Sequence, residues 1–92
     1  MIKAFSYYTD CGHGWVRVQT AILEQLGIIN EITGYSYIRG SYAYLEEDCD
    51  MTKFHHAYIA HNGYAPKYVT KHTDKQSKIR SYDRFHVSRI KS

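Results

Sequence analysis

Several short stretches carry side chains able to do chemistry. Asp10-Cys11-Gly12-His13-Gly14-Trp15 sets an imidazole between two glycines, so a backbone can approach a ligand closely there and His13 can act as acid or base. A phosphate loop would continue into Gly-Lys-Ser/Thr, which this stretch lacks, so it reads as a structural turn with Trp15 as its core anchor. Cys11, His13, Cys49 and either His55 or His56 have the donor chemistry of zinc, but no Cys-x2-Cys knuckle or His-x3-His pair organises them. Free thiols and surface histidines are the expectation. Glu46-Glu47-Asp48-Cys49-Asp50 concentrates carboxylates that suit a hard cation, yet the calcium-loop pattern is missing and no second acidic cluster converges on them. Ser6, Ser36, Ser41 and Ser77 sit in no nucleophile elbow. No catalytic residue, no metal site and no cofactor are expected, and a binding protein is favoured over an enzyme.

The most specific pattern is Tyr35-Ser36-Tyr37-Ile38-Arg39-Gly40-Ser41-Tyr42-Ala43-Tyr44-Leu45-Glu46. With Gly40-Ser41 as a two-residue type II′ turn, Arg39 lies opposite Tyr42, Tyr37 opposite Tyr44, and Tyr35 opposite Glu46. Side chains alternate along a strand, so these six share one face while Ile38, Ala43, Ser36 and Leu45 take the other, the better suited to a core. Tyr35, Tyr37, Arg39, Tyr42 and Tyr44 are therefore the candidate partner-binding residues, with Tyr68 or Tyr7 extending the surface. The competing expectation is that the rings only stabilise the hairpin and are covered by a loop or by the C-terminal arm.

These residues must be held by a scaffold. Ile2 to Tyr8 alternates as a strand, Trp15 to Val18 is a short extended piece, and residues 19 to 26 repeat apolar side chains at helical spacing with Gly27 as the stop. The hairpin follows. Asp50 is expected to cap a helix over 51 to 62 whose inward stripe is Met51, Phe54, Ala57 and Tyr58, and Asn62-Gly63 ends it. Residues 67 to 71 read as a strand, and 77 to 82 as a further strand or an irregular arm. The order strand, helix, strand, strand, helix, strand predicts an α+β domain, a ferredoxin-like sandwich (βαββαβ) with a small antiparallel sheet and two helices on one face. A smaller curled sheet is the alternative. The domain is expected to span 1 to 84, with a basic, flexible tail over 85 to 92.

The chain has 92 residues, 43% of them hydrophobic, enough for one domain with a modest core. Its apolar runs are far shorter than the roughly 20 residues of a membrane span, and the start lacks a secretion signal, so a soluble cytoplasmic protein is expected. Net charge is +3 but unevenly spread: residues 1 to 62 carry four basic against seven acidic groups, residues 63 to 92 eight against two. The basic arm, Lys71, Lys75, Lys78, Arg80 and Arg84, suits an acidic protein surface or a phosphate backbone. Five of the six histidines follow residue 54, so that half gains charge below about pH 6.5.

Tyr7-Tyr8-Thr9-Asp10, Gly12-His13-Gly14-Trp15-Val16, the tyrosine ribbon through Glu46-Glu47-Asp48-Cys49-Asp50, and Lys78-Ile79-Arg80-Ser81-Tyr82 resemble a family of small phage-, prophage- and plasmid-encoded accessory proteins. The resemblance implies a mobile-element accessory protein that acts by binding, as an inhibitor of a host defence or nucleic-acid-processing complex. A host protein is the expected partner, and single-stranded nucleic acid held by the tyrosine face and the basic arm is the alternative.

Overall fold

A computed structural model describes residues 3–89, with the side chain of Arg89 left aside. The expected strand start at Ile2 and the last part of the expected tail, 90–92, lie outside the described residues.

The chain runs through β1 (Ala4–Thr9), β2 (Gly14–Gln19), α1 (Thr20–Gln25), β3 (Tyr37–Arg39), β4 (Tyr42–Glu46), α2 (Asp50–Asn62), β5 (Lys67–His72) and β6 (Asp83–Arg84). All six strands form one sheet in the order β5-β1-β2-β4-β3-β6. β5 runs parallel to β1, and every other neighbour is antiparallel. The α+β class is as expected, but the order departs from βαββαβ and the sheet is mixed rather than antiparallel. The cause is β2. The Asp10 carboxylate accepts from the Gly12 and His13 N–H groups, closing a tight turn that folds Trp15–Gln19 back as a full strand between β1 and β4.

Strand parity then sorts the sheet. Val16 and Val18 of β2, Ala43 and Leu45 of β4, Ile38 of β3 and Phe5 of β1 point to one side, where Leu23 of α1 and Phe54 and Tyr58 of α2 cover them. Phe54 is fully buried, with its ring edge-on to Phe5 at 5.0 Å between centroids. The stripe expected on α2 holds: Met51 and Ala57 pack beside Phe54 and Tyr58. On α1 the buried residues are Thr20 and Leu23, and Ala21 is exposed. Gly63 ends α2 at φ 81, a conformation open to glycine because it has no Cβ.

Asp50 does not cap α2. Its carboxylate is fully buried and accepts from the Thr33 backbone N–H, the Thr33 hydroxyl and the Ser36 hydroxyl, tying the loop before β3 to the start of the helix. Ser36 Oγ in turn accepts from Glu46 N–H at 3.0 Å, so the ribbon ends at Tyr37 and the expected Tyr35–Glu46 pair does not form. Phe85 corrects the expected tail boundary: it is buried in the main core and donates its N–H to Ser36 O at 2.8 Å. No helix of the described residues is long and apolar enough to cross a membrane.

Candidate functional site

The site is built on the sheet face opposite the helices. Its centre is the hairpin turn, where Gly40 takes φ 61 and Ser41 stays out of the positive-φ region, the pairing a type II′ turn requires. The register is the expected one, Tyr37 with Tyr44 and Arg39 with Tyr42. β2 supplies the next column, with Arg17 opposite Tyr44 and Trp15 opposite Glu46, and β1 adds Tyr8 opposite Trp15. Lys71 of β5 lies beside Tyr8 at the far edge.

Cations lie over these rings in a band across the sheet. The Lys71 ammonium is 5.5 Å from the Tyr8 centroid, the Arg17 guanidinium 4.7 Å from Tyr42 and 6.0 Å from Tyr8, and that of Arg84 5.1 Å from Tyr37. The extension expected from Tyr7 or Tyr68 falls on the wrong parity. Both rings pack on the helix side, where Tyr7 donates to Glu47 and burial, then that bond, pushes its phenol pKa well up. Burial raises Tyr68 to about 12, and its hydroxyl meets His55 Nδ1 at 2.9 Å. Tyr8, Arg17 and Trp15 were missed as face residues. The signal for them is the alternation in Trp15-Val16-Arg17-Val18, whose valines claim the core side.

The C-terminal arm roofs half of this face. Ile79 is buried against Trp15 and Tyr44, and Tyr82 covers Tyr44 at 5.1 Å, with the Arg39 guanidinium 5.1 Å above Tyr82. Tyr44 is consequently only 9% exposed, whereas Tyr37 and Tyr42 are half-buried and Tyr35 is 69% exposed. Burial, followed by Tyr82, raises the Tyr44 pKa. The arm is latched by Arg80, which donates to Asp10 from Nε at 2.8 Å and from Nη2 at 2.9 Å while its guanidinium stacks 5.4 Å above Trp15. Asp10 also accepts from Ser77 N–H, and Arg80 foremost, then Ser77, holds its carboxyl well below the usual carboxylate range. Arg84 donates to Gly34 O at 3.1 Å. Among the basic-arm residues, Arg80 and Arg84 are thus tied into the fold, while Lys71, Lys75 and Lys78 are exposed.

Where the arm meets the sheet a cleft of about 390 Å³ remains. Trp15, Tyr35 and Tyr37 give it aromatic walls, Arg80 and Arg84 line it with guanidinium groups, and His13, Glu46, Asp48 and Cys49 complete the lining. Here the expected structural turn meets the acidic stretch: His13 Nδ1 lies 4.0 Å from Glu46 Oε1. Glu46 Oε2 accepts from Asp48 N–H at 2.8 Å. The Trp15 side chain is 2% exposed, and its indole N–H is buried without a hydrogen-bond partner. Both cysteines are free, and Cys11 Sγ donates to Asp74 O. Among the described residues no group of three or more His, Cys, Asp or Glu side chains gathers closely enough to hold a metal ion.

Comparison of the chain with protein-family models, curated proteins and solved structures finds no match.

Proposed function

We propose that this chain is a non-enzymatic binding module of a mobile genetic element, acting in the host cytoplasm, that docks on an acidic surface of a host protein and inhibits a defence or nucleic-acid-processing complex. The observation that carries the reading is the band Lys71–Tyr8–Arg17–Tyr42, in which Tyr8, Arg17 and Tyr42 are half-buried and Lys71 is exposed on the sheet face beside the arm. Its ring faces already carry cations, so what it offers outward is guanidinium and ammonium donors and phenol tips rather than free aromatic planes. Those groups pair with carboxylates, and tyrosine and arginine are the side chains that most often dominate interface energy. Arg39 and Tyr35 extend the band, Tyr37 and Tyr44 support it from beneath the arm, and Lys75 and Lys78 steer association. The mobile-element setting rests on the resemblance of the Asp10 loop, the tyrosine ribbon and the Lys78–Tyr82 block to accessory proteins of phages and plasmids.

The test is affinity capture with Arg17→Ala combined with Tyr42→Ala. The wild-type chain should retain a host protein that the double variant loses, with the circular-dichroism spectrum unchanged; equal capture by a folded double variant overturns the reading.

A second reading rests on the groove lined by Tyr8, Lys71, Lys75 and Lys78, about 370 Å³ in volume, whose three ammonium groups suit a phosphate backbone. Single-stranded nucleic acid bound there should lose affinity steeply between about 50 and 200 mM salt, because phosphate contacts release counterions. Fluorescence anisotropy without a rise at the lower salt removes this alternative.

A further inference from the structure

We propose that the outer rim of β5 takes up an extended acidic segment of another protein as an added strand, with carboxylates on either side of an aliphatic residue along one face. This goes beyond docking by the cationic band and does not rest on it; the two surfaces share only Lys71.

The main chain makes the rim. β5 stands at one end of the sheet and pairs with β1 alone. The Lys67 N–H donates to Lys3 O and, an even number of residues on, the Thr73 N–H donates to Thr9 O. Alternate residues of a strand turn their main-chain groups the same way, so Lys67, Val69 and Lys71 bond toward β1, and Tyr68, Thr70 and His72 turn their N–H and C=O groups outward. Among the described residues none of those outward groups has a hydrogen-bond partner. The strand is six residues long and exposed except at the half-buried Tyr68, so the row is accessible. The opposite rim, β6, is two residues long and offers no comparable row. A regular uncovered rim is a template for a further strand.

The side chains select the occupant. Lys71 lies beside Tyr8 and Val69 beside Ser6, so Lys67, Val69 and Lys71 point to one face. Val69 is 50% exposed, an apolar residue with an ammonium on either side. A strand whose middle residue lies opposite Val69 sets the residues two before and two after it opposite Lys71 and Lys67. The matching pattern is Glu-x-Val-x-Glu, which reads alike in either chain direction. A second copy of this chain is a poor occupant: two-fold pairing centred on Val69 sets Lys67 against Lys71 of the other copy, and like charges directly opposite are unfavourable.

The probe is a fluorescein-labelled peptide, Ser-Glu-Thr-Val-Thr-Glu-Ser, titrated by anisotropy at about 50 mM salt, where exposed charge pairs are weakly screened. Its binding should saturate. Exchanging both glutamates for lysine should weaken it about tenfold or more, because attractive cross-strand pairs become repulsive ones. N-methylation of the two threonines, whose N–H groups face β5, should abolish binding with the charge unchanged. Thr70→Pro removes the central outward N–H without touching the bonds to β1, and should weaken binding about tenfold or more. Should that variant not fold, Lys67→Glu serves: its side chain is exposed, and the reversed charge should weaken binding several-fold. The proposal is overturned if the peptide gives no saturable change, if the lysine or N-methylated peptide binds as tightly as its parent, or if the folded variants bind as tightly as the wild type. A dimer of the chain alone, seen in sedimentation and abolished by Thr70→Pro, also overturns it by giving the rim to a second copy. Docking by Arg17 and Tyr42 is read out separately by host-protein capture, so either can fail alone.

Discussion

The two faces of the sheet are made by the same strands and covered in opposite ways. On one, Val16, Val18, Ile38, Ala43 and Leu45 meet hydrocarbon and ring edges from α1 and α2. One residue along on β2, β3 and β4, Trp15, Tyr37 and Tyr44 meet an irregular arm held by a charged latch and by cations over rings. The first cover is nondirectional and buries the strands' core side chains, so it supplies stability. The second depends on a few oriented contacts, seals only half its face, and leaves a cleft and a cationic band. Function is read from the face whose cover is incomplete.

This contrast can be broken at several levels. Phe54→Ala opens a cavity in the sealed face and should cost about 3 to 5 kcal/mol, seen as a large fall in the urea midpoint. Asp10→Asn attacks the other cover by leaving Arg80 without its carboxylate, and should cost about 1 to 3 kcal/mol at pH 7 through the lost charged hydrogen bonds. That loss has a definite pH dependence. The Asp10 carboxyl is depressed in the fold, so its contribution is complete above the unfolded carboxylate value of about 4 and drains away as pH falls below it. Wild type and Asp10→Asn should therefore converge in stability in acid; parallel curves down to low pH would show that the latch is not the titrating contact. Gly40→Ala forces a side chain into φ 61 at the hairpin and should cost about 1 kcal/mol, measured by thermal melting. Arg17→Ala and Tyr42→Ala, on the unsealed part, should each cost about 0.5 kcal/mol or less. A larger loss of stability there would make those side chains structural supports and weaken the docking proposal.

What was legible in the sequence was local. The Gly40-Ser41 turn, the pairing of Tyr37 with Tyr44, the separation of the tyrosines from Ile38, Ala43 and Leu45, and the inward stripe of α2 all follow from turn chemistry and side-chain period within a dozen residues. What failed depends on partners far along the chain. Trp15–Gln19 shows a strand's alternation, but that it lies centrally follows from pairing with β4 across the helix, loop and β3 of residues 20–41. Asp50 has the residue type of a helix cap, yet three donors from Thr33 and Ser36 outcompete the first turn for its oxygens. Arg80 reads as one more charge in a basic arm, and only tertiary contact gives it Asp10 as a partner. The cleft joins residues from the Asp10 loop, the ribbon and the arm, so no single stretch announces it.

The parallel pairing of β5 with β1, such as Tyr7 beside Thr70, has a consequence for how the protein is made. At a ribosomal pace of roughly 5 to 20 residues per second, β1 waits on the order of several seconds for its outer neighbour to be synthesised. Throughout that interval one hydrogen-bonding rim of the nascent strand, with Phe5 and Tyr7 along it, stays open to chaperones or to stray strands. Yield in a cell should accordingly respond to translation speed and holdase supply more than equilibrium unfolding would suggest.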